Sequence, residues 1–226
     1  MKKENTTKIN KKTPAAKYPN LKGKFEILKK LEQEHIKVGK RMLSAAGGKM
    51  LVLDLAIVGF LKRSIDLIDG IITLINSWNI IGAAPLVRLQ LDNLLRLYYL
   101  STLKNSDDIA LEILKGRSFL DMEDSEGKKI TDARLRYYAR SQYPWLDKVY
   151  EETSKFIHFS DKHYFLTVNS FKEQTGSFEL FIGKGAINWP ESELNTFLDA
   201  VICITDAILK LIIGWAITKQ LHFDKL

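Results

Sequence analysis

The stretch "PLVRLQLDNLLRLYYLSTL", residues 85–103, restricts the fold more than any other part of this chain. Projected at about 100° per residue, its leucines and other apolar side chains fall on nearly every side, a pattern that suits a helix surrounded by protein. Yet Arg88, Asp92 and Arg96 follow one another at steps of four, and Tyr99 completes the same side. A buried guanidinium or carboxylate without a partner is costly, so whatever covers this side must supply hydrogen bonds and opposite charge. The segment is therefore expected to be the central helix of a helical protein, with a polar site along one flank.

A second stripe offers a cover for it. In "YEETSKFIHFS", residues 150–160, Tyr150, Ser154 and His158 recur at steps of four and would line one side of a helix. The expected arrangement sets Arg88 and Asp92 against Ser154 and His158. It places Asp92 within reach of Arg88 or His158, and Tyr150 at one end. Two roles fit such a set. In one it is a polar network between two core helices. In the other it is a cleft in which Arg88 holds an anion and His158, titrating near neutrality, moves a proton, with Asp92, Arg96, Tyr99, Tyr150 and Ser154 as binding residues.

Around the central helix the chain reads as mostly α. Residues 24–45 have helical spacing and end at "AAGG". A second helix is expected from Met50 to Trp78, with Lys62, Asp66, Asp69, Thr73 and Asn76 on its solvated side. Pro85 suits the first turn of the third. Shorter helices follow, one starting at "SDD" near 106–108 and others over 131–141 and over 145–160, the last two parted by Tyr143-Pro144. The period then changes: "YFLTVNSF" and "SFELFIG" around "KEQTG" predict a β-hairpin at about 164–182. Pro190 opens a last long apolar helix. The fold expected is a helical bundle with a small hairpin inserted before that helix, a single domain over 23–226 preceded by a disordered basic arm, 1–22.

The net charge of +7 belongs to that arm. Eight of the 34 lysines and arginines and one of the 27 acids lie in residues 1–24, leaving 26 of each sign beyond. A single cysteine, Cys203, allows no internal disulfide, and the lysine-rich N-terminus has no apolar run of a signal peptide, so the cytoplasm is the expected compartment. "FLDAVICITDAILKLIIGWAI" carries Asp199, Asp206 and Lys210 along its middle, so it is expected to be a buried helix and no membrane span. Its wide apolar face predicts a homodimer through about 197–217.

The pairing of "SIDLIDGIITLINSWNIIGAAPLVRLQLDNLLRLYYL" with "YEETSKFIHFSDKH" resembles a family of bacterial helical proteins of unknown function. In that family an Arg-x3-Glu helix is followed downstream by a Tyr-x3-Ser-x3-His helix. Arg88, Tyr150, Ser154 and His158 match, whereas Asp92 stands where the family has glutamate. The layout is also similar to the HEPN bundles, many of which are RNases of defence or toxin systems that use an arginine and a histidine; those place the two close together on one helix, which this chain does not. The resemblance implies an RNA-directed protein with a metal-independent nuclease site, Arg88 stabilising phosphate and His158 as acid or base. The competing expectation is a non-enzymatic dimeric interaction module, and small-molecule binding between the helices is a third.

Other motifs add little. His158 and His163 diverge on a helix and lack further ligands, so no metal and no cofactor is expected. "GKG" at 183–185 is a turn, and "DMEDSEG" at 121–127 a solvated loop. Lys128, Lys129, Arg134, Arg136 and Arg140, interleaved with Tyr137 and Tyr138, form the one basic patch outside the arm and a candidate RNA contact.

Overall fold

The structure is a computed structural model that describes residues 12–180, 182, 183, 185 and 189–225. Among these, nine α-helices and one hairpin follow in order: α1 Pro14–Lys17, α2 Lys22–Ser44, α3 Val52–Asn76, α4 Ile80–Thr102, α5 Ser106–Leu114, α6 Asp132–Ala139, α7 Leu146–Ile157, α8 Asp161–Phe165, β1 Val168–Lys172, β2 Ser177–Leu180 and α9 Glu191–Phe223. The protein is a mostly helical bundle with a small hairpin before its last long helix. The strands pair antiparallel, Val168 opposite Leu180 and Lys172 opposite Ser177, with an irregularity after Val168. Gly176, at φ 61°, takes the left-handed position of the turn.

Helix α4 is the hub. It packs against α3 and α9 on one side and against α6 and α7 on the other, while α2 lies along α9 and α3. From Ile80 to Leu100 only Ile81 and Leu89 are exposed. On α3 the side expected to be solvated, from Lys62 to Asn76, is exposed as its polarity demands.

The start of α4 differs from expectation. The helix begins at Ile80, five residues before Pro85, because the chain turns sharply there: Trp78 sits at φ 61° and Asn79 accepts a hydrogen bond from the Gly82 N–H at 3.0 Å. Pro85 lies inside the helix, in its second turn. The unfavourable backbone at Trp78 is held by its ring, which is buried, meets Tyr18 edge-on and donates to the Lys12 carbonyl at 2.8 Å.

That contact also revises the arm. Residues 1–11 lie outside the described residues, but from Lys12 the chain is docked on the bundle. Leu21 is buried, and the Tyr18 hydroxyl donates to the Trp189 carbonyl at 2.8 Å. Aromatic anchors, invisible to a reading based on charge, bring the domain boundary forward from residue 22.

Two polar chains cross the core. Asp54 and Lys219 form a sealed ion pair at 2.7 Å; Asp54 also accepts from the Trp215 indole at 2.8 Å and from the Leu51 N–H at 2.9 Å. This fastens the end of α9 to the start of α3. The second chain joins four helices. His35 Nδ1 lies 2.6 Å from the Leu31 carbonyl, which can only accept, so Nδ1 carries the proton and Nε2 accepts from the Ser64 hydroxyl at 2.7 Å. Gln90 donates to Ser64 at 2.6 Å and reaches Thr205 at 3.3 Å.

Burial lowers the His35 pKa from its ordinary value of 6.5, with the Leu31 hydrogen bond opposing. The unfolded chain therefore binds a proton before the folded one does, and stability is complete above 6.5 and lost as pH falls toward the lowered folded value. Urea titrations across this range should show a decline of at most about 1.4 kcal/mol per pH unit, and one that is absent in His35→Gln.

Candidate functional site

The charged side of α4 builds an ionic joint. The Arg88 side chain is 8% exposed; its Nη2 lies 2.7 Å from Asp132 Oδ2, and its guanidinium carbon 3.8 Å from the centre of the Tyr150 ring. Arg136 stacks on the same ring at 3.9 Å and pairs with Asp147 at 3.0 Å. One turn along α4, Asp92 pairs with Arg96 and lies 3.1 Å from Arg63 of α3, while Arg96 reaches Asp132 at 3.5 Å. Asp132 is the first residue of α6, capped by Thr131, so its carboxylate also meets the positive end of that helix. Burial pushes the pKa of Arg63 and of Arg96 down, opposed at Arg96 by Asp132, yet guanidinium remains charged.

The expected partners are thus partly exchanged. Asp92 faces Arg63 and Arg96 instead of Arg88 or His158, and the carboxylate for Arg88 comes from Asp132. Tyr150 does close the Arg88 end. Tyr99 is buried against the Tyr138 ring, 5.5 Å between centres, and burial raises its pKa. Ser154 spends its hydroxyl on its own helix, donating to the Tyr150 carbonyl at 2.7 Å.

His158 does not join the set. Helix α7 ends at Ile157, and His158 caps it in extended conformation, exposed, with no hydrogen bond or ion pair from its ring among the described residues. Eight residues separate it from Tyr150, about 12 Å of helical rise, and helical side chains lean toward the N-terminus, so the Tyr150 ring that holds Arg88 leans away from it.

Two residues of the basic patch, Lys128 and Arg134, are paired by the acidic loop before it. Asp124 accepts from the backbone N–H of Glu126 at 2.9 Å and of Lys128 at 3.0 Å, and from Tyr138 at 3.0 Å, and it pairs with Arg134. Burial alone would raise its pKa; these hydrogen bonds hold it well below the usual carboxylate range. Glu126 pairs with Lys128 and Arg134. "DMEDSEG" is consequently a clasp on α6, and of the patch Lys129 and Arg140 make no ion pair among the described residues.

Sequence reasoning also passed over a cleft. Between α7 and α9 lies an open cavity of about 510 Å³ with a mainly apolar wall that includes Trp145, Val149, Phe156, Trp189 and Phe197. A second, more polar hollow of about 690 Å³ continues along α9 to Thr218, and Trp145 and Cys203 line both. Partial burial, followed by Asp199 and Asp206, raises the Cys203 thiol pKa, which disfavours its thiolate form. The apolar periodicity of α9 signalled such a face; the opposing wall from α7 required the tertiary fold.

Comparison with family models, with curated proteins and with solved structures returned no match.

The geometry makes the joint asymmetric. Asp132→Ala strands a buried guanidinium, whereas Arg88→Met leaves an aspartate that is 38% exposed and can hydrate. Thermal or urea unfolding should show a loss of about 2–3 kcal/mol for Asp132→Ala and a distinctly smaller one for Arg88→Met. His158→Ala, on the surface, should stay within about 0.5 kcal/mol of the native protein.

Proposed function

We propose that this protein is a non-enzymatic helical interaction module that self-associates through α9, its arginine and aspartate side chains forming the joint that holds the bundle together. The observation that carries the reading is the incomplete cover of α9. By length and composition this helix could cross a membrane, and it packs against α2 and α4, yet only 44% of its most apolar 18-residue window is buried. The uncovered side lines a groove from Ser192 to Thr218. At helical rise that is about 40 Å, long enough for the same helix of a second copy. A two-fold pair would bring equivalent residues together, and Cys203, common to both halves of the groove, lies near the middle.

The nuclease reading asks Arg88 to stabilise phosphate and His158 to move a proton. Arg88 is already occupied by Asp132 and Tyr150, and His158 stands beyond the end of α7. These features favour the module.

Light scattering at micromolar concentration should report a dimer for the native chain and a monomer for Cys203→Arg, a change at an exposed position. A native monomer, or a variant that remains dimeric, would contradict the reading. Incubation with mixed RNA, with and without chelator, should yield no cleavage that depends on His158.

A further inference from the structure

The cleft between α7 and α9 has the dimensions and the lining of a small-molecule site. Its volume of about 510 Å³ falls within the range of about 300–1,000 Å³ that such sites occupy, and they are typically apolar with a few placed polar groups. Four aromatic side chains contribute to the wall: Trp145 and Phe156 from the α7 side, Trp189 and Phe197 from the α9 side. Trp189 is itself buried and meets Phe197 edge-on at 5.6 Å between ring centres, so this part of the wall is held in place by the fold.

The polar groups of the cleft differ in what they have left to offer. Thr153 and Thr196 donate to carbonyls of their own helices at 2.7 and 3.0 Å. Each acid in the lining already has a close donor. Glu152 receives Lys155 at 2.6 Å, Glu193 receives the Trp189 indole at 2.7 Å, and Asp199 pairs with Lys24. The lysines in the lining have no such partner. Lys162 Nζ stands 4.0 Å from Glu152 and 3.8 Å from Glu193, beyond hydrogen-bond distance of both, and Lys148 is exposed with no ion pair among the described residues. With Lys155 and Lys24 included, four lysines face three acids, a balance of +1 around an apolar cavity.

We infer that this cleft binds an amphipathic acid, a small molecule whose aliphatic or aromatic body lies among the four rings and whose single carboxylate is met by Lys162, with Lys148 adding positive charge. A carboxylate supplies the close acceptor that Lys162 lacks. An amine fits less well, because it would have to displace donors that the three acids already hold. A polyphosphate fits less well too, since two lysines beside a mainly apolar wall cannot neutralise it. The inference goes beyond the self-association proposed for α9 and does not rest on it. Both use the stretch of α9 from Ser192 to Cys203, but only the ligand site needs the wall from α7.

The test is isothermal titration calorimetry of the full chain at neutral pH with decanoate, 2-naphthoate, decylammonium and decanol, each below the concentration at which it aggregates, with light scattering on the same samples. Decanoate or 2-naphthoate should bind, the pair telling an aliphatic from an aromatic body, and the ammonium and the alcohol should bind at least about fivefold more weakly. Lys162→Gln, at a partly exposed position, should weaken the acid by about fivefold, leave decanol unchanged and melt as the native chain does. Ala200→Phe, which fills the cleft from α9, should abolish binding of acid and alcohol alike. Absence of binding by either acid would overturn the inference, as would equal affinity for the ammonium or the alcohol, or affinity for the acid unmoved by Lys162→Gln. A chain that takes up the acid while scattering as a monomer would uphold the cleft and refute the dimer, and a dimer that takes up neither acid would do the reverse.

Discussion

A guanidinium taken out of water must be met by an acceptor, and on α4 that requirement organises half of the molecule. Arg88 is sealed by Asp132 of α6 on one side and by the Tyr150 ring of α7 on another; Asp92 and Arg96 extend the set to Arg63 of α3. The apolar surface of α4 would accept many packings, because hydrophobic contact has no direction. The ion pairs do have direction, and they specify which face of α4 receives α6 and α7. Asp132 suits the task because it opens α6: the helix dipole stabilises the same carboxylate that neutralises two arginines. Buried pairs of this kind add little net stability over apolar packing, so their effect is on specificity of arrangement.

Much of this architecture is legible in the amino-acid order, since periodicity is a local property. The all-round apolar pattern of 85–103 identifies the hub, the change of period identifies the hairpin, though residues 164 and 165 belong to α8 and the first strand begins only at Val168, and "AAGG" ends α2 where Ala46 and Gly47 adopt left-handed conformations. What escapes is long-range. Nothing near Arg88 announces that Asp132, 44 residues on, is its partner, and the step-of-four match to His158 fails because α7 stops at Ile157. Pro85 looks like a helix start until Trp78 and Asn79 are seen to turn the chain earlier. The buried His35, Ser64 and Gln90 sit on three helices, and none belongs to a recognisable motif.

The distribution of polar and apolar groups then bears on function. The side chains read as candidates for chemistry are paired, as Arg88 and Asp92 are, or stranded at a helix end, as His158 is, whereas the surfaces left open are the groove along α9, mainly apolar where α7 faces it and more polar beyond, and the exposed apolar side chains at the hairpin end. The paired charges of α4, together with apolar surface that stays open, support the proposed interaction module. On the proposed reading the arginine and aspartate pairs hold a platform, and binding would take place on faces that the pairs orient but do not touch.

The central claim is that the joint on α4 fixes α6 and α7 to the remainder of the bundle, and hydrogen exchange read helix by helix tests it most directly. In Asp132→Ala, the amides of α6 and α7 should lose protection selectively, as a local opening, while those of α2, α3 and α9 retain it. Protection unchanged in α6 and α7, or lost equally in every helix, would contradict the account.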